Sequence, residues 1–195
     1  MALDIRRLDG PERAAALTDV AALRMAVFRE WPYLYEGTPS YEEAYLKPYL
    51  TEPKAVLIGA FDGDNLVGAS TAMPLCAHAD DFGAAFAGSD ICVAEVFYCS
   101  ESVLLPDYRG QGAGHAFFDL REAAARDLGY KTSAFCAVVR PQDHPARPAG
   151  YRPLDGFWKA RGYRPLLGAI AQFSWPDVGE KRESIKPLQF WTRAL

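Results

Sequence analysis

Apolar residues recur along this chain in two periods, and the switches between them predict the order of its elements. A short alternation over residues 3–8 predicts a first strand. Residues 12–28 carry Leu17, Val20, Ala21, Val27 and Phe28 at helical spacing, so they predict an amphipathic helix. An aromatic segment punctuated by proline and glycine follows, Trp31-Pro32-Tyr33-Leu34-Tyr35-Glu36-Gly37, and predicts a loop. Residues 41–50 predict a second helix, interrupted near its end by Pro48. Two strand-like runs, 55–61 and 66–73, flank Asp62-Gly63-Asp64-Asn65, a hairpin turn signal. Residues 80–90 predict a polar excursion with a short helix, and 92–105 a long strand.

The second half continues with a helix over 115–128, in which Phe117, Leu120, Ala124 and Leu128 share a face and Gly129 ends it. A strand is predicted over 132–139 and a four-proline loop over 140–153. A short helix over 154–161 ends at Gly162, and a closing β pair spans 168–175 and 185–191. The order is mixed α/β, with no internal repeat and no long linker. Residues 1–195 are expected to form a single domain.

The junction between the long strand and the following helix reads Leu104-Leu105-Pro106-Asp107-Tyr108-Arg109-Gly110-Gln111-Gly112-Ala113-Gly114. Glycines let the backbone turn sharply and approach a ligand closely. The first turn of the following helix offers unpaired N–H groups and a positive dipole end. Together they suit a phosphate or pyrophosphate. A P-loop would need Gly-Lys-Ser/Thr here, and a dinucleotide fingerprint a further glycine at the right offset. Neither is present. The motif met is Arg-x-x-Gly-x-Gly, by Arg109, Gly112 and Gly114.

That run, 103–114, resembles the acyl-CoA-binding loop of the GNAT superfamily of N-acyltransferases, including its Pro-x-Tyr-Arg-Gly stretch. The element order is similar to that family over nearly the whole chain. Phe157-Trp158-Lys159-Ala160-Arg161-Gly162-Tyr163 resembles its short-helix ending, with one change. The resemblance implies an α/β fold: a single GNAT-like domain with a mixed, mostly antiparallel sheet flanked by helices. It implies acetyl-CoA as cosubstrate, held by Ser102, Leu104, Arg109, Gly110, Gln111, Gly112, Ala113 and Gly114. It also implies transfer of an acetyl group to a primary amine, with a small molecule as the expected acceptor. A protein amine, and a non-catalytic acyl-CoA-binding module, remain open as alternatives.

Acyl transfer to an amine needs a base, a polarised carbonyl and a stabilised thiolate. In an ideal strand Glu95, Phe97, Cys99, Glu101 and Val103 share a face. Glu101, nearer the expected thioester, is the candidate base, and Glu95 a candidate for acceptor binding. The family's frequent tyrosine is replaced by Trp158, whose indole N–H donates but does not release a proton near neutral pH. Trp158 is expected to pack on the cosubstrate, leaving Tyr151 as the candidate acid. Tyr33, Tyr35 and Glu36 are candidates for holding a cationic amine by stacking and charge.

Composition narrows the remaining classes. Half of the residues are hydrophobic and net charge is −4, which disfavours a nucleic-acid partner. Residues 1–7 carry no apolar signal core, and no run is long enough for a bilayer span. A cytoplasmic protein without a membrane partner is expected, and a homodimer is left open. Cys76, Cys92, Cys99 and Cys136 form no CxxC pair and are expected as buried, reduced thiols. With His78, His115 and His144 scattered, no metal site is expected.

Overall fold

The computed structural model describes residues 2–78 and 80–195. Seven strands form one sheet in the order β1-β2-β3-β4-β5-β7-β6. They are β1 (Asp4–Leu8), β2 (Val56–Asp62), β3 (Asn65–Pro74), β4 (Val96–Leu104), β5 (Thr132–Val138), β6 (Arg164–Trp175) and β7 (Ser184–Ala194). Every neighbouring pair is antiparallel except β4 and β5. The predicted mixed, mostly antiparallel sheet is therefore present.

Helix α6 (Ala113–Asp127) packs on one face, where Phe117, Phe118 and Ala125 meet Phe97, Cys99 and Phe135. On the other face α1 (Gly10–Phe28) sets Val20, Ala21 and Leu23 against Leu57, Ala69 and Val103. Two short helices, α2 (Pro39–Leu46) and α3 (Pro48–Thr51), flank α1. Pro48 has no N–H to continue the first of these and opens the next, which is why the single predicted helix is two. Helix α4 (Leu75–His78) lies against β3 and β4 and α5 (Asp80–Ala85) against β6, and Phe82 and Phe86 pack on Phe190 of β7.

Helices α6 and α7 (Asp155–Ala160) end alike. Gly129 and Gly162 take φ +81° and +88°, and the next residue's N–H bonds the carbonyl five positions back. This closes the last turn in a Schellman arrangement. Leu128 falls outside the helix and is 39% exposed, so it does not extend the buried face as predicted. Among the described residues, no helix is long and apolar enough to cross a membrane.

Two sequence expectations about the long strand are corrected. The segment before Val96 is a 3-10 turn, Val93–Glu95, because β3 ends at Pro74 opposite Phe97 and offers no further partner. Strand β4 also carries a bulge. Thr71 faces Glu101 and Ala72 faces Cys99, so Ser100 is the extra residue. The extra residue shifts the alternation, and Glu101 leaves the α6 face occupied by Phe97 and Cys99. The bulge is pinned through the Glu101 carbonyl, which accepts from Ser70 Oγ at 3.0 Å and from buried Arg121 Nη1 at 2.9 Å. The cysteines are all free, but Cys76 and Cys92 are exposed rather than buried.

Candidate active site

The parallel pair β4 and β5 is bonded only over Val96–Tyr98 against Thr132–Ala134. Beyond that point β4 stays with β3 and β5 with β7, so the strands part and leave the edge of β4 facing an opening. The glycine loop lies at the end of this strand. Pro106–Tyr108 form a 3-10 turn, and Gly110 and Gly112 take φ +77° and +88°. Only glycine adopts such angles without strain. A Cβ built on either would meet no protein atom within 4 Å, so the space above the loop is open. Among the described residues no backbone carbonyl takes the N–H groups of residues 110–114. These donors fit a pyrophosphate at the N-terminus of α6. Arg109 is half exposed beside them, bonded to the Leu104 carbonyl at 3.1 Å and to Glu30 at 2.9 Å. Ser102 and Gln111 are exposed, Leu104 is partly buried, and Ala113 opens α6 in the core. Gly114 leaves only Phe157 near its missing Cβ, at 3.6 Å.

On the α1 face of the sheet, near the bulge, is a cavity of about 90 Å³. Tyr33, Tyr35, Tyr45, Tyr98, Phe82 and Trp175 are among its walls, with Glu101 and Arg24 also lining it. Glu101 is buried. Its Oε2 accepts from Arg24 Nη1 at 2.7 Å and from the Tyr45 hydroxyl at 3.1 Å, while its Oε1 has no protein partner. Arg24 Nε also donates to buried Glu42 at 2.5 Å. The guanidinium sits over Tyr45 and Phe28 with ring-centre distances of 4.0 and 5.1 Å. Burial lifts the Tyr45 phenol well above its ordinary value, helped by the Glu101 charge, so it stays a hydrogen-bond donor. His78 Nε2 is 3.4 Å from that hydroxyl, and burial followed by the Arg24 charge pushes the imidazole down to about 4. Burial holds the Cys136 thiol up at about 12, and it therefore offers no thiolate.

The aromatic loop is fixed from behind. Arg140 grips Asp177 with both Nη atoms at 2.7 Å and bonds the Pro32 and Tyr33 carbonyls at 2.9 and 2.6 Å. Trp175 Nε1 donates to the same Tyr33 carbonyl at 3.1 Å. These contacts turn the Tyr33 and Tyr35 rings to the cavity. Burial pushes both phenols up.

The fold brings together Glu101, Tyr33 and Tyr35 from the sequence-derived set, and it separates four others from the cavity. Glu95 is on the 3-10 turn at the other end of the strand, paired with Lys131 in solvent. Glu36 is turned out to Arg29. Trp158, partly buried, packs on the edge of the core against Phe135 and Trp191, at 4.9 and 5.2 Å, because its short helix is docked onto the α6 face. Tyr151 is on the loop after β5, edge-on to Trp31 at 6.0 Å, and is not part of the wall. Arg24, Glu42 and Tyr45 are the residues that sequence reasoning missed. Arg24 falls on the apolar stripe of α1, between Ala21 and Val27, where a charge requires a buried partner.

A model of the acetyltransferase (GNAT) family matches residues 21–149. The chain belongs to that family and is an acyltransferase. No curated protein is significantly similar to it in sequence. Solved GNAT structures match over its full length. The N-acetyltransferase of Staphylococcus aureus aligns with 100% of this chain and 99% of its own, at 12% identity and a TM-score of 0.60. YncA of Salmonella typhimurium, solved with acetyl-CoA, covers 100% and 95% at 13% identity and 0.59. A phosphinothricin acetyltransferase of Sinorhizobium meliloti, also with acetyl-CoA, covers 100% and 89% at 15% identity and 0.59. At such identities the likeness is one of fold, and the side chains around the GNAT cleft have to be read from this chain alone.

Proposed function

We propose that this GNAT protein is a cytoplasmic N-acetyltransferase that moves an acetyl group from acetyl-CoA to a primary amine on a small molecule. The observation that carries the reading is the parting of β4 from β5 between the open glycine loop and the buried Glu101. The acetyl thioester comes with the cosubstrate. The N–H groups of residues 110–114 and Arg109 hold its pyrophosphate. The free edge of β4 at Ser102 and Leu104 offers backbone groups to its arm, and a backbone N–H there can polarise the carbonyl. Glu101 takes the proton of the bound amine through the oxygen that has no protein partner. A thiol of pKa ~8.5 is a tolerable leaving group without a dedicated acid. A small-molecule acceptor is supported by the modest size of the cavity, about 90 Å³.

Gly112→Val tests the cosubstrate half of the proposal. A β-branched side chain at φ +88° strains the turn and fills the open space above it. Acetyl-CoA affinity, measured by calorimetry on a variant shown to be folded, should fall at least ~10-fold, about 1.4 kcal/mol. Unchanged affinity would remove the glycine loop from the binding site.

A further inference from the structure

The charge balance of the cavity narrows the acceptor beyond a primary amine, on the reading that the protein is an N-acetyltransferase. Arg24 is the one cation in the wall among the described residues, and it is already matched. Its Nε is on Glu42 at 2.5 Å, its Nη1 on Glu101 at 2.7 Å, and the rings of Tyr45 and Phe28 cover it. Two carboxylates against one guanidinium leave a net negative charge. Two buried carboxylate oxygens have no protein partner, Glu42 Oε1 and Glu101 Oε1, and of the two residues only Glu101 lines the cavity, so its oxygen is the one placed to meet a ligand's N–H. A carboxylate on the acceptor would find no free cation and would face this excess charge. A second ammonium would find no second lining carboxylate, since Glu42 is behind Arg24 and outside the wall.

The rest of the wall suits a flat apolar body. Tyr33 stacks on Trp175 at 6.1 Å and 25°, while Tyr35 meets Trp175 edge-on at 6.3 Å and 90°. Tyr41 stacks on Tyr45 at 6.3 Å and 15°. Such rings take another ring by stacking and take a cation on their faces. We infer that the acceptor is a monoamine on an aromatic body that bears no carboxylate, an arylalkylamine. Its ammonium gives one proton to Glu101 Oε1. The freed nitrogen pair forms the bond to the thioester carbonyl carbon as the C–S bond breaks. The sulfur keeps that electron pair and receives the second proton of the nitrogen, giving the amide and free thiol.

The test uses the full chain and four probes: 2-phenylethylamine, L-phenylalanine, spermidine and a short peptide with a free N-terminus. Binding is measured by calorimetry and transfer by thiol release from acetyl-CoA. The expected result is that 2-phenylethylamine binds at least ~10-fold more tightly than each of the others, with the same order in kcat/KM. Glu101→Gln should weaken its binding at least ~10-fold, as expected for a lost bond to a charged group. Tyr41→Ala, a half-exposed ring whose removal spares the core, should weaken it by about 3-fold. If L-phenylalanine, spermidine or the peptide matches or exceeds 2-phenylethylamine, the inference is overturned while the transferase reading stands. Absence of amine binding overturns it as well. Selective binding of 2-phenylethylamine without thiol release would keep the pocket assignment and overturn the transferase reading instead.

Discussion

Glu101 and Glu122 are both buried carboxylates, 4% and 3% exposed, and they are used in opposite ways. Both oxygens of Glu122 are occupied. Oε1 accepts from the Tyr163 hydroxyl at 3.0 Å and Arg161 at 3.3 Å, and Oε2 from Arg193 at 2.7 Å. Those donors come from the end of α7, the residue before β6 and the end of β7, so Glu122 ties α6 to the closing strands. Glu101 has partners on one oxygen only, and the group lines a cavity. A buried acceptor without a partner is costly, and a structure keeps one where something else comes to satisfy it. Burial is common to the two residues. What sets Glu101 apart, and supports the role proposed for it, is that it lines the cavity with one oxygen unpartnered.

Neutralising each carboxylate in turn should separate their roles. Glu101→Gln keeps the shape, and Arg24 retains Glu42, so the fold should survive. The kcat/KM for the amine should fall ~10²- to 10⁴-fold with acetyl-CoA affinity unchanged. A normal rate in that variant would take Glu101 out of the chemistry. Glu122→Gln should do the reverse. It weakens the bonds of Arg193 and Tyr163 while Arg161 keeps Asp119, and should cost about 1–2 kcal/mol in urea unfolding, while kcat of the folded fraction is retained. If Glu122→Gln instead lost activity without losing stability, the contrast between the two carboxylates would fail.

The same contrast explains which parts were legible in the sequence. The alternation of β2 and β3, the helical stripe of α1 and the Gly-x-Gly turn are local signals, and each lies within about two residues of its predicted place. Glu101 was legible as a carboxylate near the loop, but not the face it occupies. That face depends on a bulge set by the partner strand, and bulges arise from pairing rather than composition. Arg24 and Glu42 are 18 positions apart, and each looks like a surface residue until the helices pack. Trp158 was legible as a motif position, but not its neighbours: docking of the short helix sets the partly buried ring against Phe135 and Trp191.

The Glu101 network also borders a group whose titration links stability to pH. His78 packs on Tyr45, Phe82 and Tyr98, and burial with the Arg24 charge holds it down at about 4. Its unfolded value is about 6.5. Between the two values the unfolded chain binds more protons, so stability rises with pH across the window. Read downward, stability is lost from about pH 6.5 to about pH 4, by on the order of 2–3 kcal/mol from this residue. His78→Phe should flatten that part of the stability–pH curve, as followed by urea midpoints. An unchanged curve would mean that the imidazole is not buried as described.

The smallest effect is expected at Tyr151, the sequence-derived candidate for the acid. Burial and nearby Asp155 push its phenol up, so it is protonated at neutral pH, as an acid must be. Its surroundings argue against the role. The ring meets the edge of Trp31, Arg147 lies over it at 5.8 Å, and the residue is outside the wall of the cavity. Tyr151→Phe keeps these ring contacts and removes only the hydroxyl. The kcat for thiol release should fall by well under the ~10²-fold that a positioned general acid contributes, with stability unchanged. A loss of ~10²-fold or more, with a shifted alkaline limb in the pH–rate profile, would return the proton donor to this loop.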